Sequence, residues 1–245
     1  MNHKKISAVS FDLWDTLIKD TNNMMKKRSQ YRINKIENLL SEINSKVSKT
    51  IIKNSLNYVR EKCTEDHNNE FDISFHDRVN QLINHISEEK VIAPTKNLNK
   101  LIGQIIDDAF LAYSPYLVEG AKKTIEKINQ KGYLMCLISN TGFTSPNTYN
   151  IFLERIGISK YIKIILLSNE LQTAKPSKKI YDLAIKKLGV PKREIIHIGD
   201  NYQADVIGSK NCGLKPLWLN DDDNLTNKEN EKIIIKSIPE ILGFI

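Results

Sequence analysis

Short apolar runs of this sequence are followed, at four places, by acidic, polar or basic side chains. In chain order these places carry Asp12 and Asp15, Ser139 and Asn140, Lys175, and Asp200 and Asp205. Carboxylates are the hard oxygen ligands that Mg²⁺ prefers, and a lysine offsets negative charge on a reacting group. Such a set suits chemistry on a phosphate monoester, whose dianion repels nucleophiles unless cations neutralise it.

Each side-chain type has its own use in such a site. A carboxylate such as Asp12, held against a metal ion, is oriented to attack phosphorus in line and to form an aspartyl-phosphate. Asp200 is a second candidate ligand for Mg²⁺. Ser139 and Asn140, with backbone N–H groups at a helix start, are candidate donors to phosphoryl oxygens. Lys175 would neutralise both the nucleophile and the transferring group, so the five residues together predict one phosphate site.

The elements that must position these side chains follow from the alternation of apolar runs with amphipathic stretches. Strands are predicted at 6–11, 133–138, 162–167, 195–198, 216–219 and 233–235, and helices at 121–130, 147–156, 178–188 and 203–212. This alternation predicts an α/β fold, with a parallel sheet and helices on both of its faces. In such sheets the ligand lies beyond the carboxyl ends of the strands, which is where the four places fall.

A second region interrupts this alternation. From residue 21 to residue 112 the apolar side chains recur every three or four positions, which is typical of amphipathic helices. The sequence therefore predicts an all-helical insertion at 19–114, between the two parts of a core domain at 1–18 and 115–245.

The four places, in this order, resemble the motifs of the haloacid dehalogenase superfamily, whose members include phosphatases with an aspartate nucleophile and dehalogenases. The resemblance runs from Ile6 to about Leu219 and implies a Rossmann-like core, with the helical insertion as a cap that selects the substrate. It implies Asp12 as the nucleophile, and Mg²⁺ bound by Asp12, Asp200 and the backbone carbonyl of Trp14. Asp205 would lie outside the set of metal ligands and would adjust the orientation and charge of those ligands.

The sequence departs from the usual phosphatase pattern at Trp14. That pattern is Asp-x-Asp, in which the second Asp protonates the leaving oxygen and then activates water. Trp14 stands at this second position, and its indole cannot do the proton transfer, which is worth about 10²–10⁴ in rate. Asp15, one residue further, is a candidate substitute, although a role in capping the turn explains it equally well.

Three interpretations of this departure stay open. In the first, which we favour, the chain is a Mg²⁺-dependent phosphatase of a small phosphorylated metabolite, either for esters with good leaving groups or with partial help from Asp15. In the second, it is a 2-haloacid dehalogenase, because halide leaves without a proton. The pair Asp200 and Asp205 argues against this, since the dehalogenase branch works without metal and has a Ser-Asn pair there. In the third, it binds a ligand with little catalysis.

Composition excludes several other classes. The 245 residues carry 40% hydrophobic side chains, which is ordinary for a globular chain, and no apolar run approaches the ~18 residues of a membrane span. The net charge of +7 is spread along the chain, so we expect no nucleic-acid partner, only a mild attraction for anionic substrates.

Cysteine and histidine spacing gives no sign of a further metal site. The three cysteines, Cys63, Cys136 and Cys212, are far apart and form no CxxC pair, so we expect free thiols in a cytoplasmic monomer or homodimer. The histidines of the helical insertion, His67, His76 and His85, lack HExxH spacing, and we expect them at solvated or helix-face positions.

Overall fold

A six-stranded sheet forms the centre of the computed structural model, which describes residues 6–43, 45–89, 95–221 and 233–245. Across the sheet the strands are β5 (Ile164–Leu167), β4 (Leu134–Ser139), β1 (Ala8–Phe11), β6 (Ile195–Gly199), β7 (Lys215–Leu219) and β8 (Ile234–Ile235). Every neighbouring pair is parallel, so all six carboxyl ends lie along one edge. The predicted parallel sheet is confirmed.

Helices cover both faces of this sheet. They are α5 (Ala121–Gln130), α6 (Pro146–Arg155), α7 (Ser168–Leu171), α8 (Lys178–Leu188) and α9 (Gly208–Asn211). Side chains alternate between the faces along each strand: Val9 and Phe11 pack in one hydrophobic cluster with α5 and α6, whereas Ala8 packs in another with α8. This layering confirms the Rossmann-like α/β architecture.

Two predicted segments differ from the structure. The helix predicted at 203–212 is divided into a π-helical turn, Tyr202–Ile207, and α9. The wider turn carries Asp205, whose carboxylate is buried rather than solvated, and such turns occur where a functional side chain must be re-aimed. The stretch before Lys175, predicted as a loop, contains α7. Other boundaries move by one or two residues, which is the usual uncertainty at element ends.

The helical insertion consists of α1 (Asn22–Glu42), α2 (Lys49–Asn68), α3 (Phe75–Glu89) and α4 (Lys96–Ala112). Their apolar faces form a hydrophobic cluster of their own, which includes Ile36, Ile52, Leu82 and Ile106. Consecutive helices pack on one another, and α1 also packs on α4. No helix within the described ranges is both long enough and apolar enough to cross a membrane. The domain limits at 18/19 and 114/115 stay a prediction.

The chain passes between the sheet and the helical insertion through two short strands. β2 (Ile18–Lys19) and β3 (Tyr116–Leu117) pair antiparallel, so the outgoing and returning segments lie side by side. Arg28 of α1 binds both segments: its guanidinium is 2.7 Å from Asp20 and 2.5 Å from the Tyr113 carbonyl oxygen. This arginine therefore holds the base of the insertion in a fixed orientation to the two crossings.

The far end of the insertion also touches the core, through the tip of α2, which we define as residues 64–72. The Ala174 N–H donates to the Glu70 carbonyl at 3.2 Å, and Phe71 forms a β-bridge with Thr173. The Asp72 carboxylate accepts a hydrogen bond of 2.6 Å from the Ser168 hydroxyl. The tip of α2 is thus bonded to the chain segment that leads into Lys175.

Candidate active site

The carboxyl ends of three adjacent strands bring the predicted residues together. β1 lies between β4 and β6, so Asp12 after β1, Asn140 after β4 and Asp200 after β6 stand next to one another. With Lys175 they line a pocket of about 400 Å³. The core side of the pocket comprises Asp12, Trp14, Asp15, Asn140, Lys175, Pro176, Asp200, Asn201, Gln203, Ala204 and Asp205. The opposite side comprises Thr64, His67, Asn68 and Glu70 from the tip of α2.

Lys175 is the charged centre of the pocket. Its ammonium lies 2.5 Å from Asp12 Oδ1 and 2.6 Å from Asp205 Oδ1, and the side chain is only 2% exposed. Burial works to lower the pKa of Lys175, but the two carboxylates outweigh it and raise that pKa above its usual value. Lys175 therefore stays charged and holds the two carboxylates on either side of it.

Negative charge is in excess around this lysine. Burial first, and then repulsion by Asp205 and Asp200, raises the pKa of Asp12 to about 7, although Lys175 pulls in the opposite direction. Burial and the charges of Asp205 and Asp15 raise the pKa of Asp200 to about 6. Oxygen atoms of Asp12, Asp200 and Asp205 lie within 4.8 Å of one another. A set of hard oxygen donors with surplus negative charge fits a divalent cation such as Mg²⁺.

The carboxylate of Asp205 is held in place by further hydrogen bonds. His197 Nε2 lies 3.0 Å from its Oδ1, and the Asn201 backbone N–H donates to its Oδ2 at 3.1 Å. Lys175 and His197 outweigh burial and lower the pKa of Asp205, so this carboxylate is ionised. A Cβ on Gly199 would stand 2.1 Å from the Asp205 Cγ, so only glycine allows the carboxylate to lie against this strand end.

His197 was not among the candidate site residues predicted from the sequence. Burial lowers its pKa, so the ring is neutral; the Ser10 hydroxyl lies 2.7 Å from Nδ1, which leaves Nε2–H to donate to Asp205. Its position two residues before Gly199, on the central β6, is the only sequence signal that points to it.

Asn140 and Ser139 take different positions. The Asn140 amide bonds both backbone groups of Lys175: Nδ2 donates to the carbonyl at 2.9 Å, and Oδ1 accepts from the N–H at 2.8 Å. One N–H of its Nδ2 is left for a phosphoryl oxygen. The Ser139 hydroxyl is buried, has no hydrogen-bond partner in the described part of the chain, and is not among the lining groups of the pocket. Phosphate binding by either residue stays a prediction.

Trp14 and Asp15 lie on the turn after Asp12. The half-buried indole of Trp14 donates to the Tyr149 hydroxyl at 3.0 Å and stands edge-on to Phe110. Asp15 is exposed and has a left-handed backbone, with φ of 55°. Both line the pocket, but the Trp14 indole carries no acidic proton and the Asp15 carboxyl is exposed to solvent. Metal binding by the Trp14 carbonyl, and acid catalysis by Asp15, stay predictions.

The tip of α2 supplies pocket residues that were not predicted from the sequence. His67, which we expected at a solvated or helix-face position, is half-buried, and its Nε2 lies 3.0 Å from Asp72 Oδ2. Thr64 and Asn68 are four residues apart and so share one face of α2, but this spacing alone does not indicate that the face is turned toward the core. His67 does lie on a face of α2, and the docking of α2 on the core places that face against the pocket.

Comparison with known proteins agrees with this geometry. A family model described as haloacid dehalogenase-like hydrolase matches residues 6–213. The chain belongs to this family of hydrolases. The fold is shared with a 2-haloacid dehalogenase from Pseudomonas syringae pv. Tomato DC3000, with a TM-score of 0.71 and 17% identity over 98% of this chain and 97% of the other. A HAD phosphatase from Thermococcus onnurineus also shares it, with a TM-score of 0.63 and 18% identity over 97% of each chain.

Curated relatives of this HAD-family chain include several phosphatases. It is 37% identical to the pyrimidine 5'-nucleotidase YjjG of Escherichia coli over 84 residues, 34% of this chain and 36% of that protein. It is 27% identical to the glyceraldehyde 3-phosphate phosphatase of Pyrococcus furiosus over 129 residues, 51% of this chain and 52% of that protein. The matches thus span about a third to a half of these relatives, whose substrates differ from each other.

Mg²⁺ binding to this HAD-family site is expected to strengthen with pH. Protons compete with the cation for Asp12 and Asp200, whose pKa values of about 7 and about 6 make them partly protonated in mildly acidic solution. We expect the dissociation constant from titration calorimetry to fall by about 10- to 100-fold between about pH 5.5 and about pH 7.5. Asp200→Asn should weaken binding at every pH. A pH-independent affinity would show that these carboxylates are not the ligands.

Proposed function

We propose that this protein is a Mg²⁺-dependent phosphatase that cleaves a small phosphorylated metabolite through an aspartyl-phosphate on Asp12. The observation that supports it most is the placement of Lys175 between Asp12 and Asp205, with Asp200 beside them in one pocket. Phosphatases among the relatives agree with this assignment. A cytoplasmic location and a monomeric or homodimeric state remain predictions.

In the first half-reaction an Asp12 oxygen attacks phosphorus as the bond to the leaving oxygen breaks. Lys175 holds Asp12 in place and adds positive charge where the transferring group passes. Asn140 keeps the Lys175 backbone fixed, and Asp205 keeps its ammonium from turning away. Mg²⁺, bound by Asp12 and Asp200 with Asp205 near them, would supply further positive charge opposite the phosphoryl oxygens.

In the second half-reaction water attacks the phosphorus of the aspartyl-phosphate, and Asp12 is regenerated as inorganic phosphate leaves. The helical insertion, which we propose is a cap domain over residues 19–114, excludes bulk water during this cycle and contacts the leaving group. Thr64, Asn68 and Glu70 face the pocket from that side and would contact the alcohol portion of the substrate.

The 2-haloacid dehalogenase interpretation deserves a direct test, because a dehalogenase shares the fold and Trp14 lacks the proton that a phosphatase uses. An aryl phosphate, with and without Mg²⁺, and chloroacetate are offered to the same preparation. We expect phosphate release that disappears with EDTA and returns with Mg²⁺, and no halide release. Halide release without phosphate release would replace the proposal by the dehalogenase. Turnover of neither compound by the folded protein would favour a binding role.

A further inference from the structure

The proposed phosphatase lacks a proton donor at the position of Trp14, yet its pocket contains an imidazole. His67 lines the pocket from the tip of α2, across from Asp12, Lys175 and Asp200. The side chain is 18% exposed, so the ring is neither free in solvent nor sealed in the core. Because the leaving oxygen stands opposite the attacking oxygen in an in-line displacement, an imidazole across the pocket from Asp12 is on the side of the departing alcohol.

The two ring nitrogens of His67 are used differently. Nε2 lies 3.0 Å from Asp72 Oδ2 and 3.6 Å from Cys63 Sγ. Nδ1 has no hydrogen-bond partner within the described ranges, although the ring is a lining group of the pocket. The nitrogen bound to Asp72 is thus held by the protein, and the other is left for a ligand.

Asp72, which binds the His67 ring, is itself fixed by hydrogen bonds. It is fully buried, and Arg78 Nη2 donates to its Oδ1 at 2.8 Å, while the Ser168 hydroxyl donates to its Oδ2 at 2.6 Å. These contacts come from α3 and from α7 of the core. A carboxylate bonded from two sides fixes the tilt of the imidazole and keeps Nε2 as the nitrogen that the protein holds.

Close packing of α2 on the core completes the arrangement. A Cβ on Gly142 would lie 2.3 Å from the Cys63 Sγ, so glycine at this position allows α2 to come this near. Gly142 follows the end of β4 by three residues and belongs to the same carboxyl edge as Asn140. The distance between His67 and the phosphate side of the pocket is therefore set by a direct helix-to-core contact.

We infer that His67 is the general acid of this site and takes the place of the carboxylate that the family pattern has at Trp14. The inference rests on the proposed function. As Asp12 attacks phosphorus, the bond to the leaving oxygen breaks and the Nδ1 proton moves to that oxygen. Water then attacks the aspartyl-phosphate and gives its proton to Nδ1, the bond from phosphorus to Asp12 breaks, and the ring returns to its starting state.

The electrostatics suit this role. Hydrogen bonds and charge from Asp72 and Cys63 outweigh burial and raise the pKa of His67 to about 9. The charged groups around the ring are Asp72 with Arg78 behind it, Glu70 at the end of the tip of α2, and the carboxylates and Lys175 across the pocket; the thiol of Cys63 also lies beside the ring. At neutral pH the imidazolium therefore holds the proton that the first step consumes.

Asp15 is the rival for this role, and its setting is less suitable. It is exposed, next to bulk water, and it stands on the same turn as Asp12 and Trp14. Its charge acts on Asp200, where it raises the pKa of that carboxyl. A donor that water surrounds transfers its proton with less benefit than one fixed by a buried carboxylate.

The test compares leaving groups that do and do not need a proton. We expect His67→Gln to lower kcat for an alkyl phosphate such as glycerol 1-phosphate by about 10²- to 10³-fold, and for p-nitrophenyl phosphate by less than about 10-fold. The alkaline limb of the wild-type pH profile, near pH 9, should vanish in this variant. The control is His85→Gln, because His85 stacks on Tyr58 of the same insertion, away from the pocket, and should leave both rates unchanged.

A second variant distinguishes loss of the proton donor from misfolding of His67→Gln. Adding Trp14→Asp to His67→Gln restores a carboxyl at the family position and should recover at least about 10-fold of the alkyl rate, whereas Trp14→Asn in the same background should not. Two results would overturn the role of His67 without contradicting the proposed phosphatase activity. One is an equal loss of kcat for both esters in His67→Gln, and the other is a loss of kcat for the alkyl ester that occurs in Asp15→Asn alone. A wild-type protein that hydrolyses neither ester would overturn the proposed function and this inference together.

Discussion

Replacement of Asp12 by Asn is expected to abolish phosphate release, with kcat reduced by about 10⁴-fold or more. The amide has the size of the carboxylate but cannot attack phosphorus, so no aspartyl-phosphate forms. Lys175 keeps Asp205 as a partner at 2.6 Å, and we therefore expect the variant to fold. Initial rates with an aryl phosphate at saturating Mg²⁺, together with circular dichroism of both proteins, give the comparison.

The matched control for this variant is Asp182→Asn. Asp182 is a half-exposed carboxylate of α8 that pairs with Lys178 on the surface, and it is not among the lining groups of the pocket. The same chemical change there should leave kcat within about twofold, because exposed pairs contribute little. Retention of more than about 1% of wild-type activity by Asp12→Asn would contradict a nucleophilic role for Asp12.

Replacement of Lys175 by Met is expected to damage both activity and stability. Two buried carboxylates, Asp12 and Asp205, would lose the ammonium between them, and an uncompensated buried charge costs about 3–5 kcal/mol. We expect the free energy of unfolding in urea to fall by this amount at neutral pH. The same change removes positive charge from the transferring group, and kcat should fall by about 10³-fold.

The pH dependence of that stability loss has a definite sign. Without Lys175 the pKa of Asp12, already about 7 in the folded protein, rises further, and the pKa of Asp205, which is lowered in the wild type, rises above its unfolded value. The folded state of the variant then binds protons that the unfolded state has released. The destabilisation is therefore absent below the ordinary carboxyl pKa and grows as the pH rises toward neutrality. Urea titrations at about pH 4 and about pH 7 measure the difference.

Lys178→Met is the control for the lysine change. Lys178 is exposed and pairs with Asp182 within α8, so its removal should change the unfolding free energy by less than about 1 kcal/mol. If Lys175→Met and Lys178→Met were equally stable at neutral pH, the buried cluster would not have the charge distribution described above.

The sequence indicated most of the core side of the pocket, because that side depends on a repeating rule. Each strand of a parallel sheet ends at the same edge, so polar residues after the apolar runs must meet there. Asp12, Asn140 and Asp200 follow three such runs, and the order of β4, β1 and β6 makes them neighbours. Lys175 was predicted in the same way, from its place after the run that forms β5, but the alternation of runs did not show that α7 lies between them.

The insertion side of the pocket could not be predicted in this way. His67 is brought to the pocket by two contacts of the insertion with the core, Asp72 with Ser168 and Cys63 with Gly142, whose core partners lie about 70 to 100 residues further along the chain. Helical periodicity identifies which residues share a face, but it does not contain the direction of that face in the folded protein. Burial of Ser139 without a partner likewise depends on packing that no local pattern describes.

The bonds between the tip of α2 and the core have a mechanical consequence. Glu70 and Phe71 are joined to Thr173 and Ala174, the two residues directly before Lys175. Any outward swing of α2 must therefore either break these bonds or drag the lysine backbone with it. An entrance that opens without moving Lys175 must first separate both contacts, so the ease of ligand exchange depends on the strength of the bonds next to the lysine that neutralises Asp12.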